Sequence, residues 1–474
     1  MARMFPFLLN FLYFVALAAL SPWLVWKALT AGKYRRGIRD RLFGNSHSTF
    51  RIPHSPVWFH GVSVGEVHLL RPIVGEFRRR YPDVPIVISS TTDTGFVEAR
   101  KCFPDAQIIR WPFDFSWSVA RVLDAIGPRL VVLAESELWP NFLLAAKTRE
   151  IPVVVVNARM SPKSFRRLSR IRFFVRRWLN LTAHVAAQTP EHAEIFELLG
   201  IPKDRISVTG NVKYDGIETN RNNEKTKSLR RLFHIGENEI VWIAGSTAAP
   251  EEEICLRIYQ KLQNEFPNLR LILVPRQKNR FDDVSRLIEN AGMALVRRSE
   301  IEASGLGTRH SALSTHHSPR HDDLSQSIPH SALRTPHLPI ILLDSIGELG
   351  PAWGLADIAF VGGSLDGKRG GQNMIEPAAY GAAVLFGPHT WNFRDAVQRL
   401  LETKAAAQIE NEQHLESEIR RLLRDASERL CMGAAARKLA LSQKGAAART
   451  VELLDPWLKP VVQSPTVTLV ESCA

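Results

Sequence analysis

Short unbroken apolar runs alternate along this chain with longer stretches whose apolar positions recur at helical spacing. VWFH (Val57 to His60) leads through GVSVGE into the amphipathic HLLRPIVGEFRRRYP, which ends at Pro82: strand, glycine turn, helix. The unit recurs. PIVISS (Pro85 to Ser90) precedes TTDTG and a helix, RLVVLAE (Arg129 to Glu135) precedes SELWPN and a helix, and IPVVVVNAR (Ile151 to Arg159) follows. Strands that are apolar throughout and separated by helices predict a parallel sheet buried on both faces. A polar stretch without apolar rhythm, Gly216 to Lys227, precedes a second set: IVWIAGS (Ile240 to Ser246), LRLILVPR (Leu269 to Arg276), PIILLDS (Pro339 to Ser345), DIAFVGGS (Asp357 to Ser364) and AAVLFGP (Ala382 to Pro388). The pattern predicts two α/β domains, residues 46–215 and 231–462, joined by a linker at 216–230.

Three segments stand outside this rhythm. Met4 to Trp26 is almost wholly apolar, enough for a helix that crosses a hydrocarbon core of about 30 Å at about 1.5 Å per residue. Lys27, Lys33, Arg35, Arg36, Arg39 and Arg41 follow it and only Arg3 precedes it, so the positive-inside rule predicts a single-pass anchor with both domains in the cytoplasm. A cleaved signal peptide carries its basic end first and a small-x-small site, a pattern this segment lacks, so residues 1–45 read as anchor and basic juxtamembrane segment. Residues 302–338, rich in Ser, His, Pro and Thr with HSAL at His310 and again at His330, predict a disordered insertion whose histidines have no metal-site spacing. Residues 463–474 read as a flexible tail after a helical stretch.

Composition narrows the classes. At 474 residues with 45% hydrophobic content the chain can bury two cores. A net charge of +13, from 61 Lys and Arg against 48 Asp and Glu, suits nucleic acid, anionic membrane or phosphorylated ligands; the anchor counts against nucleic acid. Cys102, Cys255, Cys431 and Cys473 are scattered without a CxxC pair, which predicts a reducing compartment and no structural zinc.

Candidate chemistry gathers at strand ends, where open α/β sheets build their sites. Glu66 ends GVSVGE at a helix N-terminus, where a carboxylate is held ionised, ready to take a proton from an alcohol; helix capping is the competing role. Glu135 and Glu137 in AESELWPN follow another strand, and carboxylates there are costly without a polar ligand. Arg159, Lys163, Arg166, Arg167, Arg170, Arg172, Arg176 and Arg177, interleaved with Phe165, Phe173, Phe174 and Trp178, predict an interfacial helix for anionic lipid or lipid phosphate. In the second half, Gly245, Pro275-Arg276, Gly347-Glu348, Gly362-Gly363 and Gly370-Gly371 fall at or after strand ends, a pattern of nucleotide-phosphate loops. Glu376 follows in a helix first turn, as a ribose ligand or as a cap.

HGVSVGEV, ESELWPN, GNVKYD, VPRQKNRF, FVGGSL, GGQNMIEPAAYG and LFGPHTWNF resemble, in this order, the signature segments of the 3-deoxy-D-manno-octulosonic acid (Kdo) transferases, over a span from the anchor to about Asp395. The resemblance implies a GT-B fold, two Rossmann-like domains facing a cleft, whose C-terminal helices often cross back. It implies an inverting enzyme moving Kdo from CMP-Kdo to lipid A precursor on the cytoplasmic face of the inner membrane. Glu66 then matches the proton acceptor, and Glu135 and Lys213 the residues that stabilise the transition state. Pro275, Arg276, Ile346, Gly347, Glu348, Asn373, Met374, Ile375 and Glu376 match the positions that hold CMP. A donor with a single phosphate implies no required metal and no other cofactor. The chain departs from the family's common VPRHPERF and GGHNPLEP at Gln277-Lys278-Asn279 and at Gln372, Met374 and Ile375. Rival readings are another membrane-associated GT-B transferase with a lipid-linked acceptor, and a tethered nucleotide-binding protein without catalysis. A dinucleotide oxidoreductase is disfavoured, since no GxGxxG precedes an acidic residue at the usual distance.

Overall fold

The computed structural model describes residues 5–31, 37–43, 55–135, 139–303 and 337–458. Glu137, residues 304–336 of the insertion, the 463–474 tail with Cys473, and Lys33, Arg35 and Arg36 lie outside the described residues. The chain divides into two compact units: residues up to Gly216 with those from Gln443 onward, and Ile217 to Ser442.

The first unit is built on β1 (Val57–His60), β2 (Ile86–Ser90), β3 (Gln107–Arg110), β4 (Leu130–Ala134), β5 (Val153–Ala158), β6 (His184–Ala187) and β7 (Ile206–Val208). They form one parallel sheet in the order β3-β2-β1-β4-β5-β6-β7. β1, β4 and β5 are buried at every position, as their unbroken apolar sequences require. The helix Val64–Arg80 lays Val67, Leu70, Ile73, Val74 and Phe77 against the sheet. Burying each such side chain stabilises the unit by about 1.5–3 kcal/mol, and Phe77 adds an edge-on contact with Phe59 at 5.3 Å between centroids.

The second unit holds β8 (Ile240–Thr247), β9 (Leu269–Pro275), β10 (Leu295–Arg297), β11 (Ile340–Leu342), β12 (Ile358–Val361), β13 (Ala383–Phe386) and β14 (Ala406–Gln408). Its sheet is also parallel, ordered β10-β11-β9-β8-β12-β13-β14. Each unit thus puts all its strand C-termini at one edge.

The boundaries differ from the sequence reading in two places. Most of the 216–230 linker is part of the second unit, because its polar side chains are spent on that unit's backbone. Arg221 Nε donates to the Tyr380 carbonyl at 2.8 Å, and Asn223 caps the helix Glu224–Leu232 by accepting from Thr226 N at 2.9 Å. The helices Ala446–Leu453 and Asp455–Leu458, grouped by sequence with the C-terminal domain, pack in the first unit. Ala446, Val451, Leu454 and Leu458 join the core that contains Val67 and Leu70.

The apolar N-terminus forms a helix, Phe5–Ala31. Among the described residues no helix is long and apolar enough to cross a membrane, so the single-pass span expected of Met4 to Trp26 is not seen. Part of this helix is tied to the first unit by its few polar groups. Asn10 donates to Ser116 Oγ at 2.7 Å and accepts from Asn141 Nδ2 at 3.2 Å, and the Tyr13 hydroxyl donates to Asp114 at 2.8 Å. Asp114 also accepts from the backbone N–H groups of Asn141 and Phe142, and burial lifts its pKa to about 6. The remaining surface of the helix exposes Phe7, Leu8, Phe11, Leu17 and Leu20.

The basic run is two helices rather than one, Pro162–Ser169 and Arg172–Leu179. Val175 and Leu179 turn inward while Ile171, Phe173 and Phe174 stay exposed among the arginines.

Candidate active site

Glu66 sits in the first turn of the helix that follows β1. Its Oε2 accepts from the Val62 N–H and its Oε1 from Ser63 Oγ at 3.2 Å. It therefore does tie down the start of its helix, and the Ser63 side chain makes no capping bond of its own. The two oxygens of a carboxylate offer about four acceptor positions, so this duty leaves acceptor capacity. The turn is tight: a Cβ on Gly61 meets the Glu66 backbone and Cβ at 3.1 Å, so a larger residue there would press on the start of the helix.

Glu135 follows β4 in a left-handed backbone conformation, φ 57°, a strained state that concentrates at functional sites. Its N–H donates to the Val156 carbonyl at 2.9 Å, and its carboxylate pairs with Arg159 Nε at 3.3 Å. Arg159, grouped by sequence with the lipid-facing run, thus belongs to this cluster instead. It follows β5 and reaches the carboxylate that follows the neighbouring strand β4, a relation that the linear spacing hid.

Lys213 is carried by the 3-10 turn Val212–Tyr214. Burial, with Arg159 nearby, pulls its pKa below 10.5, while the charges of Glu135 and Glu66 oppose that shift. Glu66, Glu135, Arg159 and Lys213 are one electrostatic cluster in the first unit.

Two residues missed in the sequence hold the Lys213 turn. Asn157, buried and left-handed at φ 52°, accepts from the Val212 N–H at 3.0 Å. Asp215 accepts from the backbone N–H groups of Gly445 and Ala447, so its carboxylate binds the N-terminus of the helix Ala446–Leu453. An asparagine at a strand end and an aspartate after a lysine were the only signals.

The nucleotide-assigned residues lie in the second unit, at or after the C-terminal ends of β9, β11 and β12. Pro275 closes β9 and is buried; Arg276 is exposed, its N–H bonded to the Thr247 carbonyl at 3.0 Å. Ile346 is exposed, Gly347 adopts φ 93°, and Glu348 is gripped by Arg298, with its Oε2 3.0 Å from Nε. Asn373 Nδ2 donates to Glu376 at 2.9 Å, and burial raises the Glu376 pKa against that bond. Met374 and Ile375 are buried side chains, so they offer a ligand their backbone alone. The departures from the family pattern at 374 and 375 therefore replace core side chains.

Glu251, overlooked inside the acidic triple Glu251-Glu252-Glu253, anchors the FVGGSL loop. Its buried carboxylate accepts from four N–H groups: Ala248 at 3.0 Å, Gly363 at 2.7 Å, Ser364 at 3.0 Å and Leu365 at 3.2 Å. A Cβ on Gly362 meets that carboxylate at 2.7 Å and Thr247 Cα at 2.6 Å, so only glycine lets the loop approach. Glu251→Gln swaps an acceptor oxygen for an N–H₂ facing donors. With two buried donors orphaned at about 1–3 kcal/mol each, thermal denaturation should show about 2–6 kcal/mol less stability, and wild-type stability in this variant refutes the anchor.

The family model described as 3-deoxy-D-manno-octulosonic-acid transferase (kdotransferase) matches residues 35–216. A 3-deoxy-D-manno-octulosonic acid transferase of Haemophilus influenzae is 32% identical over 434 residues, covering 90% of this chain and 92% of that protein. The Bordetella pertussis protein of the same description is 30% identical over 460 residues, covering 94% and 99%. Among solved structures, UDP-GlcNAc 2-epimerase from Neisseria meningitidis superposes with a TM-score of 0.56 at 14% identity, covering 84% of this chain and 99% of that one. That likeness concerns the fold alone, a GT-B-like pair of parallel α/β domains.

Proposed function

The chain belongs to the 3-deoxy-D-manno-octulosonic acid transferase family and is a glycosyltransferase of lipopolysaccharide biosynthesis; from that premise we propose how it works and on what. It takes Kdo from CMP-Kdo and delivers it to a hydroxyl of lipid A precursor. Glu66 accepts the hydroxyl proton as the oxygen attacks the anomeric carbon, and CMP leaves from the opposite side, so the configuration inverts. Glu135 and Lys213 stabilise the transition state, Lys213 by its charge against the departing phosphate. The observation that carries this reading is the cluster itself: a carboxylate at a glycine turn with a partly buried, charge-coupled lysine.

Pro275, Arg276, Ile346, Gly347, Glu348 and the segment Asn373 to Glu376 hold CMP. One phosphate is neutralised by side chains, so transfer needs no metal ion. The helix Phe5–Ala31 anchors the chain at the inner membrane through its exposed apolar surface, and both units work on the cytoplasmic side. Phe173 and Phe174, set among Arg172, Arg176 and Arg177, rest on anionic lipid beside the acceptor.

Purified full-length chain, given lipid A precursor with CMP-Kdo or with UDP-sugars in the presence of a chelator, should add mass to the lipid from CMP-Kdo alone. Transfer from a UDP-sugar, or none from CMP-Kdo until a metal is restored, contradicts the proposal.

A further inference from the structure

Two neighbouring helices of the first unit, Val64–Arg80 and Asp93–Cys102, bring together an imidazole, a carboxylate and a thiol. His68 Nε2 lies 3.3 Å from Glu98 Oε1. Cys102 Sγ lies 3.7 Å from the same oxygen, and the three donor atoms all fall within 4.8 Å of one another. Glu98 and Cys102 are four residues apart, so they share one face of their helix, and His68 approaches from the other.

We propose that His68, Glu98 and Cys102 bind one Zn²⁺, with water in the fourth position. At zinc bond lengths and tetrahedral angles, nitrogen and oxygen ligands stand about 3.3 Å apart and sulfur and oxygen about 3.5 Å apart. The His68–Glu98 separation equals the first edge, and the Cys102–Glu98 separation of 3.7 Å lies slightly outside the second. The third edge closes by a side-chain adjustment open to His68, whose side chain is 47% exposed. Nitrogen, sulfur and a single carboxylate suit zinc, whereas Ca²⁺ and Mg²⁺ take oxygen sets.

The surrounding charge sets a condition on binding. Lys101 Nζ lies 3.7 Å from Glu98 Oε2 and the Arg71 charge reaches Cys102, so a bare dication is disfavoured there. On binding, the Cys102 thiol loses its proton to solvent, and thiolate plus carboxylate cancel the ion's two charges. The spacing of cysteines along the chain could not show such a site, because its ligands come from two helices and include only one thiol.

His68 stands two residues after Glu66 and therefore on another side of the helix. The ion takes no part in sugar transfer; it joins the helix that carries Glu66 to its neighbour. The inference is independent of the functional reading.

Cobalt(II) is the probe. Full-length chain stripped with chelator and titrated with Co²⁺ should take up one equivalent with a thiolate-to-cobalt charge-transfer band, which Zn²⁺ abolishes. Cys102→Ser should lose the band, and His68→Ala and Glu98→Gln should weaken cobalt binding at least tenfold. Cys431→Ser, at an exposed cysteine, should leave the band unchanged. No band in the wild type, or a band that survives Cys102→Ser, overturns the proposal. If Cys102→Ser does not fold, unchanged cobalt affinity in the half-exposed His68→Ala overturns it equally.

Discussion

Glu66→Gln is expected to lower the rate of Kdo transfer by about 100- to 10,000-fold, the contribution of a positioned general base, while CMP binding persists. The substitution is chosen for what it keeps. A glutamine oxygen still accepts from the Val62 N–H, so the helix start that Glu66 ties down remains tied. The nucleotide residues belong to the second unit and are untouched. What glutamine loses is the capacity to take a proton from an alcohol. Glu66→Ala is less informative, because it removes the helix-start bond as well. Steady-state kinetics beside a CMP titration separate the roles: a Glu66→Gln enzyme of wild-type rate reduces Glu66 to a cap.

Lys213→Met should cost about 100- to 1,000-fold in kcat, the range seen when one preorganised charge or donor is removed from a transition state. The pH profile supplies a sharper test. Burial, reinforced by Arg159, holds the lysine pKa below 10.5, and only the ammonium form stabilises departing phosphate. Activity should therefore fall as pH rises through that lowered value, giving an alkaline limb below 10.5. Lys213→Arg keeps its charge at every working pH, so it should recover part of the lost rate and shift the limb upward. A limb that stays in place in Lys213→Arg assigns it to another group.

Long apolar runs made the central strands legible: every position of β1, β4 and β5 is buried, and a buried parallel strand needs no polar alternation. The strands β3, β6, β7, β10 and β14 escaped notice because they have three or four residues, and most are only partly buried. Glu66, Glu135 and Lys213 were singled out from motif order, and the structure brings them into one electrostatic cluster. Their partners were not: Arg159, Asn157 and Asp215 act through folds of the backbone that join β5, the Val212–Tyr214 turn and the C-terminal helices. Glu251 looked like one acidic residue among three at a helix start, and only the sheet reveals that it faces inward to the glycine loop. The N-terminal segment shows the same limit. Its apolarity is plain in the sequence, but the docking of Asn10 and Tyr13 depends on residues more than one hundred positions away.

The central claim is that Glu66 activates the acceptor for a single direct displacement. The anomeric configuration of the transferred Kdo, determined by NMR on the lipid product and compared with that in CMP-Kdo, tests it most directly. Inversion is the predicted result; retention requires two displacements and contradicts Glu66 as the base that deprotonates the acceptor.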